Sequence, residues 1–145
     1  MLQILKLADV PPATVSPAAT VCEAIEEMVR RRVGAVAVVE SDKLAGIFTE
    51  RDVMIRVVLE GRNPDKTPVR EVMTASVTTA TTEITPGEAL SLMIEHHFRH
   101  LPILDENGRV AGMLSIRNVL ESRLEDVTRE LDSLGIYLTA DGPGG

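Results

Sequence analysis

The chain repeats itself. Residues 20–40, TVCEAIEEMVRRRVGAVAVVE, align with 85–105, TPGEALSLMIEHHFRHLPILD, at an offset of 65, Thr20 falling on Thr85. LAGIFTERDV (44–53) aligns with VAGMLSIRNV (110–119) at an offset of 66, Leu44 falling on Val110. The added residue lies between the matched blocks, where SDK (41–43) becomes ENGR (106–109). A length change confined to a turn is what a structural repeat should show. Two such short units have too little interior to stand alone and should pack on one another.

Each copy parses the same way. Val21, Ile25, Met28 and Val29 fall at helical spacing, as do Leu90, Met93, Ile94 and Phe98. Short β-branched runs follow at 35–39 and 101–104, then second strands at 44–48 and 110–114, then a further helix. Asn107-Gly108 predicts a two-residue hairpin turn. Extended segments precede each unit at 14–17 (TVSP) and 76–79 (SVTT). The link EGRNPDKTPV (60–69) is polar and rich in turn formers. The last helix carries Leu120, Leu124, Val127, Leu131 and Leu134 at spacings of 4, 3, 4 and 3, either a coiled-coil seam or a stripe packed on its own domain. The tail TADGPGG is expected to be disordered.

Charge and composition exclude several partners. Formal net charge is −7, and the aromatic residues are Phe48, Phe98 and Tyr137 alone. Nucleic acid and anionic membrane call for basic surfaces, and single strands for stacking rings. The single cysteine, Cys22, cannot form an internal disulfide. No apolar run reaches membrane-spanning length and no signal peptide is evident, so a cytoplasmic location is expected.

In order and spacing, ATVCEAIEEMVRRRVGAVAVVE, KLAGIFTERDV, PVREVMT and TPGEALSLMIEHHFRHLPILDENGRVAGMLSIRNVL resemble a tandem pair of CBS domains, a Bateman module. The resemblance covers roughly residues 5–123, and the stretches GIFTERD, EVMT and RHLPILDENGRVAGMLSI are typical of stand-alone bacterial and archaeal members. It implies an α+β fold of two pseudo-twofold-related β-α-β-β-α units, each a small sheet with helices packed on one face. We place the units at 1–64 and 65–123, with a C-terminal helix extension and tail at 124–145. The family commonly forms disc-shaped homodimers and binds adenosine-containing ligands between units: AMP, ADP, ATP, S-adenosylmethionine or a nicotinamide dinucleotide. Its usual role is sensing and regulation without catalysis, so no cofactor is required and an effector protein of unknown identity is implied.

The motif GIFTERD (46–52) and its copy GMLSIRN (112–118) carry the candidate site. Thr49 and Ser115 each end a strand and open a helix, whose free N–H groups and dipole attract anions. The family's ribose-binding pattern, a hydroxyl followed three residues later by an acid, falls on Thr49 and Asp52, and in the second unit on Ser115 and Asn118. Thr49-x-x-Asp52 is equally close to a capping box, and both readings stand. Small residues at Ala45-Gly46 and Ala111-Gly112 should let a planar base approach the backbone. Arg99 and His100 occupy the position that often touches phosphate in the family, where the first unit has Gly34 and Ala35. Arg51 and Met113 complete the candidate ligand set. Asn118 lacks the charge of Asp52, so the two clefts should differ in occupancy or preference.

Other groups read more plainly. His96, His97 and His100 form HHxxH, yet a helix end separates them and no acid completes a metal set. Arg30, Arg31 and Arg32 end a helix, where cations suit the dipole, although one of them could serve an anion. Cys22 reads as inert, and Met28, Met54, Met73, Met93 and Met113 as core filling. No catalytic constellation, phosphate loop or GxGxxG is present. The expected function is a regulatory module for an adenosine nucleotide. The rival is a protein-interaction module using the last helix.

Overall fold

The structure, a computed structural model, describes residues 3–141, and of 136–141 the backbone alone. A short helix α1 (Gln3–Leu7) leads into the first unit: β1 (Thr14–Val15), α2 (Val21–Arg31), β2 (Ala35–Glu40), β3 (Lys43–Thr49) and α3 (Glu50–Asp52), which continues as a π-helix over Val53–Val58. After a 3₁₀ turn (Val69–Glu71) the second unit repeats the order: β4 (Ala80–Thr81), α4 (Pro86–His96), β5 (His100–Leu104), β6 (Val110–Ser115) and α5 (Ile116–Asp141). Each unit has a three-stranded sheet in which the first strand is parallel and the third antiparallel to the middle one. Both sheets are irregular at the same place, between Val38 and Val39 and between Ile103 and Leu104.

The helices start and stop for matching reasons. Thr20 Oγ1 accepts from the Glu23 N–H, and Thr85 Oγ1 from the Glu88 N–H, each satisfying a donor the first turn leaves free. Both helices end on a left-handed residue, Arg32 (φ 55°) and His97 (φ 59°). Two expectations are corrected here. The second hairpin has a three-residue loop closed by Asp105 N–H to Arg109 O (2.8 Å), with Gly108 at φ 79°, the αL position that ends such loops. The short second-unit strand lies at Ala80–Thr81, just past 76–79, because it is there that the chain runs beside Ile103 and Leu104.

One core lies in each unit. Val21, Ala24, Met28, Val36, Val38, Phe48 and Val57 close the first; Ala89, Met93, Leu101, Ile103, Leu114 and Val119 close the second. A third cluster of Ala35, Ala37, Ile47 and Met113 joins the sheets of the two units, so helices cover one face of each sheet and the other unit covers the opposite face. The helical periodicity overreached at one symmetric place. Val29 is 72% exposed and its counterpart Ile94 59% exposed, with Ala24 and Ala89 buried in their stead. Met54 is likewise exposed rather than core filling.

Segments are exchanged between the units. Ile4, Leu5, Leu7 and Ala8 pack into the second core, while Val69, Val72 and Met73 pack into the first. Asp9 bridges Met113 of β6 just as Thr74 bridges Ile47 of β3. Since Ile47 and Met113 are repeat partners, so are Thr74 and Asp9. The polar link is also tied down: Val21 and Cys22 N–H donate to Thr67 O (2.9 Å) and Pro64 O (3.0 Å), satisfying the start of α2. Beyond Ser122 every residue of α5 to Gly135 is exposed, Leu124, Val127, Leu131 and Leu134 included, so the stripe does not pack on its own domain. The helix runs to Asp141, making Thr139, Ala140 and Asp141 helical rather than disordered; 142–145 lie outside the described residues.

Candidate functional site

The two copies of the motif do different work. Thr49 Oγ1 accepts from the Asp52 N–H (3.2 Å), and Asp52 Oδ2 accepts from the Thr49 N–H (3.0 Å) and hydroxyl (3.2 Å), a complete capping box. Asp52 Oδ1 faces the Thr74 hydroxyl (3.5 Å) and Arg56 Nε (3.7 Å). Both carboxylate oxygens are engaged within the protein, and the residue is 8% exposed. In the second copy Ser115 Oγ accepts from the Asn118 N–H (3.1 Å), but the Asn118 side chain turns away from the cap and its Nδ2 donates to Leu7 O (2.9 Å). An aspartate at 118 has no such donor to give when ionised. The Asp-to-Asn change between the repeats thus anchors the N-terminal segment against α5.

A cleft of about 590 Å³ opens between the units. Arg31, Arg32, Gly34, Ala35 and Glu50 come to it from the first unit, and Arg99, His100, Met113, Ser115 and Asn118 from the second. Thr49, Arg51 and Asp52 do not line it. Five of the eight candidate residues therefore meet in one place. The walls are held alike, by Glu50 N–H to Gly34 O (3.0 Å) and by Ile116 N–H to Arg99 O (2.8 Å). A Cβ at Gly34 would collide with the Glu50 carboxylate, which fills the space that Arg99 takes in the other repeat. Asp9 also lines the cleft; sequence reasoning missed it, because nothing local marks it and only the Met113 bridge brings it there.

Electrostatics in the cleft are mixed. Burial, then the Arg99 guanidinium, holds the His100 imidazole down to about 4 from its usual 6.5, so at neutral pH it offers a neutral hydrogen-bonding ring. Positive charge comes from Arg31, Arg32 and Arg99 instead. Arg31 also donates to Pro11 O, and Arg30 is taken by Glu27 (2.5 Å). Of the histidine cluster, His96 stacks on Phe98 and His97 caps α4, and the described residues hold no group of three metal-ligating side chains. A hydrogen bond to Asp65, then burial, pushes the Cys22 thiol up, away from nucleophilic character. The small residues before the motifs serve the chain itself: a Cβ at Gly46 would meet Thr74 O at 2.7 Å, and one at Gly112 would meet Asp9 O at 3.2 Å. They admit the two bridging segments. No helix among the described residues is long and apolar enough to cross a membrane.

Comparison with known proteins agrees with this architecture. The CBS domain matches twice, over 7–59 and 69–125. The CBS domain-containing protein YhcV of Bacillus subtilis is 36% identical over 127 residues, 88% of this chain and 86% of that protein. A solved CBS-domain protein from Burkholderia ambifaria is 39% identical and superposes with a TM-score of 0.80, covering 87% of this chain and 94% of the other. A CBS domain protein from Pyrobaculum aerophilum, solved in complex with AMP, is 25% identical with a TM-score of 0.72, covering 79% and 88%. The chain spans 56% and 60% of the curated relatives it matches in Methanopyrus kandleri and Arabidopsis thaliana. Two matched units, one fold repeated within the chain and a cleft between the copies lead to one assignment: the chain belongs to the CBS domain family, as a tandem pair.

Proposed function

We propose that this CBS pair is a regulatory module that takes an adenosine-containing ligand in the cleft between its units. The observation that carries the reading is the convergence of Arg31, Arg32 and Arg99 with Ser115, Asn118 and neutral His100 around a space of about 590 Å³. That volume lies within the range of small-molecule sites, and the guanidinium groups suit phosphate. The AMP complex of the Pyrobaculum relative supports the same ligand class. Arg99 and His100 then meet phosphate, Ser115 meets ribose, and Met113 floors the cleft. Thr49, Arg51 and Asp52 stand apart, and we read Thr49 and Asp52 as a helix cap. No catalytic step is needed: a ligand that favours one arrangement of the units shifts the population toward it.

A homodimer fits the surface. Val29 and Ile94, Met54 and Leu120, and Val58 and Leu124 are exposed apolar pairs at matching repeat positions, and a twofold partner would cover both sets. A cytoplasmic setting and an effector protein complete the proposal. The test is thermal unfolding with AMP, ADP, ATP, NAD or S-adenosylmethionine at millimolar concentration. A ligand that binds the native state must raise the midpoint, and no shift with any of them overturns the reading. The exposed stripe of α5 favours a second reading, a protein-interaction module without a ligand, which predicts a partner in pull-down and no nucleotide effect.

A further inference from the structure

The acid of the motif has changed sides between the repeats. In the first unit, Asp52 on α3 faces Thr74 on the bridging segment, with 3.5 Å between the Thr74 hydroxyl and Asp52 Oδ1. In the second, the equivalent positions hold Asn118 on α5 and Asp9 on the bridging segment. Each half keeps one carboxylate and one neutral polar group, exchanged across the same junction. The consequences are opposite. Asp52 is buried and its oxygens are engaged by Thr49, Thr74 and Arg56. Asp9 lines the open cleft. Its main chain is fixed in both directions to Met113 (2.9 and 3.1 Å), and none of the described hydrogen bonds or ion pairs uses its carboxylate.

The supporting contacts hold Asp9 in that place. Asn118 Nδ2 grips Leu7 O at 2.9 Å, two residues before it. Gly112 lets Ala8, Asp9 and Val10 lie against β6, since a Cβ there would come within 3.1–3.2 Å of all three. A fixed, partly buried carboxylate with unused acceptor oxygens is suited to a pair of hydroxyl donors on one ligand.

We infer that Asp9 is the diol-recognising residue of the cleft, accepting hydrogen bonds from the two ribose hydroxyls of the nucleotide. The inference rests on the adenosine-ligand reading above. Asn118, the position that the motif itself points to, is then a positioning residue that acts by holding the Leu7–Asp9 turn.

The experiment is isothermal titration of the full chain and its Asp9→Asn and Asp9→Ala variants with AMP and with 2′-deoxy-AMP. Charge-assisted hydrogen bonds predict that wild type prefers AMP over the deoxy analogue by roughly tenfold or more. Asp9→Ala should weaken AMP by more than that factor, because both hydroxyls lose their acceptor, weaken the deoxy analogue less, because only its 3′-hydroxyl contact is lost, and so abolish the preference; Asp9→Asn should fall between. Circular dichroism checks that both variants keep the fold, as expected for a carboxylate with no hydrogen bond or ion pair among the described residues. AMP binding and ribose preference that survive in both variants overturn the role of Asp9 while leaving the adenosine reading intact. Absence of AMP binding in the wild type overturns both.

Discussion

Acid should remove a definable share of stability through His100. In the folded protein burial and Arg99 keep its imidazole neutral until pH about 4, whereas in the unfolded chain it protonates near 6.5. Above 6.5 both states are neutral and the histidine contributes no pH dependence. Between 6.5 and 4 the unfolded state binds the extra proton, so stability falls with pH, and below 4 the slope vanishes because both states are charged. At 1.36 kcal/mol per pH unit the loss across that window is about 3 kcal/mol. Urea unfolding of wild type and His100→Gln at pH 7.5, 6.5, 5.5, 4.5 and 3.5 isolates it, because the carboxylates titrate in both proteins. The stability of wild type relative to the variant should drop by about 3 kcal/mol between pH 6.5 and 4. Parallel profiles would refute the burial argument. A relative gain on acidification would mean that the imidazolium is stabilised, with Glu50 on the facing wall as its partner.

Other expectations follow from single contacts. Gly46→Ala drives a Cβ to 2.7 Å from Thr74 O and should cost about 1–3 kcal/mol by chemical denaturation, whereas Gly87→Ala in the open first turn of α4 should be neutral or slightly stabilising. Asp52→Ala removes the carboxylate half of the capping box, the Thr74 acceptor and the ion pair to Arg56, which keeps its bond to Met73 O, and should lower stability by about 2 kcal/mol in the same assay. Arg99→Ala should weaken AMP at least about tenfold and flatten the dependence of its affinity on salt, read by titration at two ionic strengths. Truncation after Arg123 should reduce assembly measured by light scattering while nucleotide binding persists; unchanged assembly would show that the apolar stripe of α5 is not what joins the copies.

The repeat made much of this fold legible. Helix periodicity, the Thr20 and Thr85 caps and the paired strands are local patterns, and the offsets of 65 and 66 recur in the registers, the bulges and the cap positions. Periodicity could not say which apolar side chains find a neighbour. Val29 and Ile94 sit on the right helical face but look past the edge of their own core. The site was half legible. Arg99, His100, Met113, Ser115 and Asn118 do meet, because a strand start and a helix start adjoin within one unit. Arg31, Arg32 and Glu50 enter across the junction between units, and Asp9 arrives by one isolated bridge over a hundred residues away, which leaves no trace in local sequence. The Asp-to-Asn change was visible, but not its purpose, since the Leu7 carbonyl that needs a donor belongs to the other end of the chain.

The exchanged segments also constrain how the pair can move. From Asp9 in the cleft the chain reaches β1 of the opposite unit at Thr14 through only Val10, Pro11, Pro12 and Ala13. Two prolines leave this tether little slack, because each fixes its own φ and restricts the residue before it. Hinging of one sheet against the other therefore pulls directly on Asp9 in the cleft wall. The tether works as a short connecting rod, so that the wall of the cleft and the angle between the units are geared to each other by covalent chain as well as by packing.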